Sequence, residues 1–66
     1  MRIRIEPGQR AIELEIGGCV RVRDLLQRLG LSPEEVVVLR GSEPLVDVDE
    51  VCDSDEVVVI EVFSVG

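Results

Sequence analysis

The chain has 66 residues, of which 45% are hydrophobic and 32% are charged, and its formal net charge at pH 7 is −7. This length allows a single domain without a deep enzyme pocket, and the composition is typical of a folded globule. The negative charge argues against direct binding to nucleic acid, because phosphate contacts need concentrated positive charge. A basic protein surface is the better-matched partner.

Other simple features exclude further classes. The apolar residues come in short runs broken by charge, so no membrane span is expected, and the first residues form no secretory segment. The absence of histidine excludes imidazole catalysis and histidine–zinc sites. The two cysteines, Cys19 and Cys52, are too few for a disulfide framework or an iron–sulfur cluster. We therefore expect a cytoplasmic protein with no bound metal or cofactor and with reduced, buried thiols.

The first third of the chain predicts an antiparallel hairpin. Residues 1–6 and 11–16 alternate apolar and polar side chains, and Pro7-Gly8 lies in the turn between them. The inward side chains should build part of the core. The outward charges should pair across the two strands, those of Arg2 and Arg4 with those of Glu13 and Glu15.

A helix is predicted next, after a turn at Gly17-Gly18. The apolar residues of 20–29 recur at helical spacing, and Gly30 can end the helix in the left-handed conformation. The expected buried face consists of Val22, Leu25, Leu26 and Leu29. The glycine pair is not a phosphate loop, since neither the Lys-Ser/Thr sequence nor the Gly-x-Gly-x-x-Gly spacing is present. The arginines of the outer face are either solvated, as is usual, or available to an acidic ligand.

The rest of the chain predicts one helical turn and three strands. Ser32-Pro33-Glu34-Glu35 is a helix-start signal, and residues 36–39 and 45–46 read as strands. Residues 47–55 form an acidic loop, with Val48, Val51 and Cys52 expected to point inward. This loop lacks the glycine and the closing acidic residue of an EF-hand, so we do not expect a calcium site.

The last strand begins at Val57 and leads towards the tail Ser64-Val65-Gly66. If Glu61 faces water, the alternation of a strand also turns Val57, Val59 and Phe63 outward. Three apolar groups beside the chain end then predict a contact patch for a partner. Scattered surface hydrophobic residues are the ordinary alternative.

Three segments in order resemble the ubiquitin-like sulfur-carrier proteins of thiamine and molybdopterin biosynthesis. Residues 22–31 are similar to the helix of that family and its glycine stop. Asp53-Ser-Asp-Glu-Val57 is similar to the family's Asp-Gly-Asp-Glu-Val turn. Residues 62–66 correspond in position to the flexible C-terminal segment of the family. The resemblance implies an α+β, β-grasp fold: a mixed four- to five-stranded sheet with one main helix on one face, over residues 1–63, followed by a flexible tail at 64–66.

The resemblance also implies a function in cofactor biosynthesis or tRNA thiolation. In that family an adenylating enzyme uses MgATP to activate the carboxylate of the terminal glycine, here Gly66, and a sulfur donor converts it to a thiocarboxylate. An acceptor enzyme then receives the sulfur, and some relatives are instead joined to protein lysines. The carrier binds no cofactor and is not itself an enzyme. Partner contacts would come from Val57, Val59, Phe63, Ser64 and Val65.

One position departs from the family pattern. The family ends in Gly-Gly, whereas this chain ends in Val65-Gly66. The β-branched Val65 restricts the backbone and adds bulk where close approach is needed. Either the activating enzyme has a wider channel, or the chain is a β-grasp interaction module that is no longer loaded.

Overall fold

A computed structural model describes residues 1–62 of the chain. The predictions made for Phe63, Ser64, Val65 and Gly66 lie outside these residues. In chain order the elements are β1 (Arg2–Glu6), β2 (Arg10–Glu13), β3 (Cys19–Arg21), α1 (Val22–Leu29), a 3₁₀ turn (Pro33–Glu35), β4 (Val36–Arg40), β5 (Glu43–Leu45), β6 (Glu50–Cys52) and β7 (Glu56–Glu61).

The main sheet has five strands in the order β2-β1-β7-β4-β5, with β7 in the centre. Strand β7 runs parallel to β1, where Ile3 lies beside Val57, and antiparallel to β4, where Val38 lies beside Val59. This mixed sheet with one helix confirms the predicted β-grasp fold. Strands β3 and β6 form a separate two-stranded ladder, which the sequence did not predict.

The core lies between α1 and one face of the sheet. Its apolar side chains come from alternate positions of β1, β4 and β7, from the predicted face of α1, and from Val51 of β6. The buried set is Ile3, Ile5, Val22, Leu25, Leu26, Val38, Val51, Val57 and Val59. Among residues 1–62, no helix has the length and apolar character needed to cross a membrane.

The end of α1 follows the predicted capping signal. Gly30 has a φ of 73° in the left-handed region, its N–H donates to the Gln27 carbonyl, and the Leu31 N–H donates to the Leu26 carbonyl at 2.9 Å. This pair of hydrogen bonds satisfies carbonyls that the helix leaves free. It also turns the chain towards the 3₁₀ turn, which the sequence placed correctly.

Some boundaries and contacts differ from the expectations. Strand β2 ends at Glu13, so Glu15 is outside the ladder, and Arg4 pairs with Glu6 at 3.0 Å. The predicted pair of Arg2 with Glu13 is present at 3.9 Å. Val48 is half exposed rather than buried, because it lies in the turn before β6.

Candidate functional site

The predicted outward direction of Val57 and Val59 is wrong. Their side chains are 1% and 0% exposed, and they face α1 as part of the core. The prediction used Glu61 as the marker of the solvent face, but Glu61 is the last residue of β7 and its side chain reaches the rim, where it lies 3.8 Å from Arg10. A charge at a strand end therefore does not report which face the strand interior buries.

The open face of the sheet carries the other set of β7 side chains. Val58 and Ile60 are partly exposed there, and β4 places Leu39 beside Val58 and Val37 beside Ile60. We call these four residues the open-face patch. Val37 is 39% exposed, and Val62, which follows β7, is 52% exposed. An apolar surface near the chain end is thus present, but on the opposite side of β7 from the one predicted.

Charged side chains border this patch on the β1 side. Strand β1 places Arg4 beside Val58 and Glu6 beside Ile60, and the Arg4 guanidinium donates to the Glu6 carboxylate at 3.0 Å. The ion pair is exposed, so it contributes little to stability. It gives the open-face patch a polar border, an arrangement common at protein interaction sites.

The end of β7 is attached to the body of the domain. The Val62 N–H donates to the Glu35 carbonyl in the 3₁₀ turn at 2.9 Å. The preceding residue, Glu61, is the one paired with Arg10 across the sheet end. These contacts fix where the chain leaves the sheet, four residues before Gly66.

The cysteines are not the buried, reduced thiols that we expected. Cys19 and Cys52 form a disulfide, with their Cα atoms 3.9 Å apart, and Cys19 is exposed. They are separated by 33 positions, and only the β3–β6 ladder makes them direct cross-strand neighbours. The segments Cys19–Arg21 and Glu50–Cys52 have three residues each, which is too short for the alternation of a strand to be recognised, so the sequence carried no clear signal for this pairing.

An electrostatic contact joins the chain start to the turn after β6. The Asp53 carboxylate accepts hydrogen bonds from the Ile16 N–H and from the Met1 amine, both at 3.2 Å. The Ile16 hydrogen bond, followed by that of the amine, holds the pKa of Asp53 below its ordinary value of 3.8. Within residues 1–62 no group of three or more cysteine, aspartate or glutamate side chains is placed to hold a metal ion.

Comparison with known proteins identifies the family of this chain. The family model of small archaeal modifier protein 2 matches residues 1–63. The sulfur carrier protein TtuB of Thermus thermophilus is 43% identical over 54 residues, which cover 82% of this chain and 83% of that protein. An uncharacterised protein of Archaeoglobus fulgidus is 41% identical over 58 residues, covering 88% of this chain and 84% of that protein.

These matches confirm the ubiquitin-like resemblance at the level of the broad family, without singling out the thiamine or molybdopterin carriers. The family match spans the whole β-grasp domain, from β1 to the end of β7. The chain therefore belongs to the small archaeal modifier protein 2 family of ubiquitin-like sulfur carriers and modifiers.

Proposed function

We propose that this protein is a sulfur carrier whose Gly66 carboxylate is activated by a separate adenylating enzyme. A carboxylate oxygen attacks the α-phosphorus of MgATP, pyrophosphate leaves, and the product is a glycyl adenylate. Sulfide from a sulfur donor then attacks the glycyl carbonyl carbon, AMP leaves, and a thiocarboxylate remains on Gly66. The chain supplies the carboxylate and the docking surface, and the partner enzyme supplies the catalysis.

The observation that carries this proposal is the course of β7. A central strand, paired on both sides, ends at a point held by the Val62–Glu35 hydrogen bond. Four residues, Phe63 to Gly66, follow this point. An extended chain covers at most about 3.5 Å per residue, so at most about 14 Å can separate Gly66 from Val62. The partner's nucleotide site must lie within that distance of the docked domain.

We assign the docking surface to the open-face patch together with Val62. Half of the patch, Val58 and Ile60, lies on the strand that leads to Gly66, and the other half lies on the neighbouring β4, so docking there would aim the tail at the partner's active site. Its aliphatic side chains offer apolar area, and the overall charge of −7 favours a partner with a basic rim. The buried Val57 and Val59 support this surface from below without contacting the partner.

The proposal extends to the molecule that receives the sulfur. TtuB is by name a sulfur carrier protein, and on that basis we extend sulfur transfer to this chain. Thiamine precursors, molybdopterin precursors and tRNA bases are the acceptor classes to compare. Transfer from the purified thiocarboxylate form to each acceptor enzyme distinguishes them.

Pyrophosphate exchange into ATP by the activating enzyme tests docking and adenylation together. We expect Ile60→Asp to raise the carrier concentration needed for half-maximal exchange at least about tenfold, because it places a charge in an apolar contact. Val46→Asp is the matched control, since Val46 is 59% exposed and lies outside the open-face patch. Equal effects of the two variants would contradict the assigned surface, and exchange that survives deletion of residues 64–66 would contradict activation at Gly66.

Protein modification is a second candidate, because the matching family model is that of a small archaeal modifier protein. The activated Gly66 carboxylate would then be attacked by the amine of a target lysine, with loss of AMP. This chain contains no lysine, so it would be attached singly and not as lysine-linked chains. Mass spectrometry of cell extracts should find Gly66 linked to target lysines if this function operates, and only thiocarboxylate if it does not.

A further inference from the structure

The disulfide lies apart from the open-face patch and from Val62, which the proposed carrier function uses. It joins Cys19, three residues before α1, to Cys52, four residues before β7. The bond therefore links the entrance of the helix to the entrance of the central strand, at the opposite end of β7 from Val62. The enclosed segment contains α1, β4 and β5.

Noncovalent contacts hold the same two segments together. The Asp53 N–H donates to the Gly18 carbonyl at 2.8 Å, immediately beside the disulfide. Two further main-chain bonds reach from the start of α1 to the turn before β6, from Val22 to Asp49 at 2.8 Å and from Arg23 to Asp47 at 3.0 Å. Because these contacts do not need the covalent bond, its loss should weaken the domain without dismantling the fold.

The two cysteine residues differ in exposure. Cys19, the first residue of β3, is exposed, whereas Cys52 is half-buried and its N–H donates to the Asp55 carboxylate at 2.8 Å. An incoming thiolate can therefore approach the Cys19 sulfur most easily, with Cys52 as the leaving group.

We propose that Cys19 and Cys52 form a reversible thiol-exchange site that sets the stability of the domain, and that a dithiol reductant opens it through the exposed Cys19 sulfur. The reductant thiolate attacks Cys19 Sγ, the disulfide breaks, and Cys52 leaves as a thiolate that takes up a proton. The second thiol of the reductant then displaces Cys19 and closes its own disulfide. Two electrons and two protons pass from the reductant to the protein, and a disulfide oxidant reverses the change.

Alkylation followed by intact mass measurement tests the bond itself. We expect the air-equilibrated native protein to take up no iodoacetamide label and the dithiothreitol-treated protein to take up two. Labelling of both cysteines without a reductant would overturn the proposal.

Denaturant unfolding of the oxidised and reduced forms tests the effect on stability. Loop closure across the 33 positions between the two cysteines implies that reduction raises the unfolding equilibrium constant several hundredfold, to about five hundred times its value in the oxidised protein. The reduced form should keep the folded circular dichroism spectrum. The double variant Cys19→Ser with Cys52→Ser should unfold like the reduced protein and should not respond to dithiothreitol. Identical unfolding curves for the oxidised and reduced protein, or loss of the fold on reduction, would contradict the proposal.

Single variants test the direction of attack. The lone thiol of Cys52→Ser, at position 19, should be alkylated faster than the lone thiol of Cys19→Ser, at position 52. Equal rates, or the reverse order, would contradict entry through Cys19. None of these measurements depends on sulfur transfer, so they are independent of the proposed function.

Discussion

The side chain of Val59 is fully buried at the middle of the sheet, whereas that of Val62, three residues later, is 52% exposed. Replacing Val59 by alanine removes two methyl groups from a packed site and leaves a cavity. We expect Val59→Ala to lower the free energy of unfolding by about 1–3 kcal/mol, measured by urea denaturation. Val62→Ala makes the same chemical change at an exposed site and should stay within about 0.5 kcal/mol of the parent. Equal losses would contradict the assignment of faces on β7.

Asp53 gives a residue-level prediction for pH dependence. Its pKa is lower in the folded state than the ordinary 3.8, because it accepts hydrogen bonds from the Ile16 N–H and the Met1 amine. A carboxyl group whose pKa is lowered by folding stabilises the folded state at pH values above its unfolded-state pKa. This stabilisation is lost as the pH falls through the folded-state pKa. We expect Asp53→Asn to unfold more easily than the parent at pH 7 and to match it at pH values well below 3.8.

Thermal unfolding from pH 7 downward measures this convergence. Asp47→Asn is the control, because it makes the same change of side chain in a different turn. A difference between Asp53→Asn and the parent that stays constant across the whole pH range would show that the Asp53 charge is not the cause.

At the scale of single elements, the end of α1 depends on the left-handed conformation of Gly30. A side chain is disfavoured at its φ of 73°, although there is open space for a Cβ atom. We expect Gly30→Ala to lower the free energy of unfolding by about 1 kcal/mol. Gly8→Ala is the matched control, since an added Cβ meets only ordinary contacts at 3.7 Å or more. Denaturant unfolding should show a loss for the first variant and none for the second.

The elements that the sequence predicted correctly are those with a clear local signal. The hairpin turn, the apolar face of α1, the Gly30 stop and the turn beginning at Ser32 all lie where periodicity and local signals place them, although the Ser32 side chain makes no capping hydrogen bond. The burial of β7 could not be assigned in this way, because Val57-Val58-Val59-Ile60 is apolar at every position and a central strand contacts protein on both edges. Alternation then carries no information about which face lies under the helix.

The missed β3–β6 ladder has a different cause. Each of its strands has three residues, too short for a period to be recognised, and their pairing spans more than thirty positions of the chain. Only the tertiary fold brings Cys19 to Cys52. The sequence identified β7 as an apolar strand, while the face that it exposes and the state of the cysteines required the structure.

At the scale of the whole molecule, the fold holds the strand that leads to residues 63–66 in the middle of the sheet. The five-stranded sheet holds β7 on both edges, α1 covers one face, and the open-face patch remains available on the other. The chain contains no lysine, so it has no side-chain amine that could attack the activated carboxylate of the proposed function. These properties suit a carrier whose carboxylate is activated by another protein.

Sulfur loading at Gly66 is tested most directly by tandem mass spectrometry after incubation with MgATP, the activating enzyme and a sulfide source. The account predicts an intact-mass increase equal to the replacement of one oxygen by sulfur, with the added mass located on the fragment that contains Gly66. It also predicts no increase when ATP is omitted or when residues 64–66 are deleted. An unchanged mass with an enzyme that loads another carrier, or sulfur located on a cysteine instead of Gly66, would contradict it.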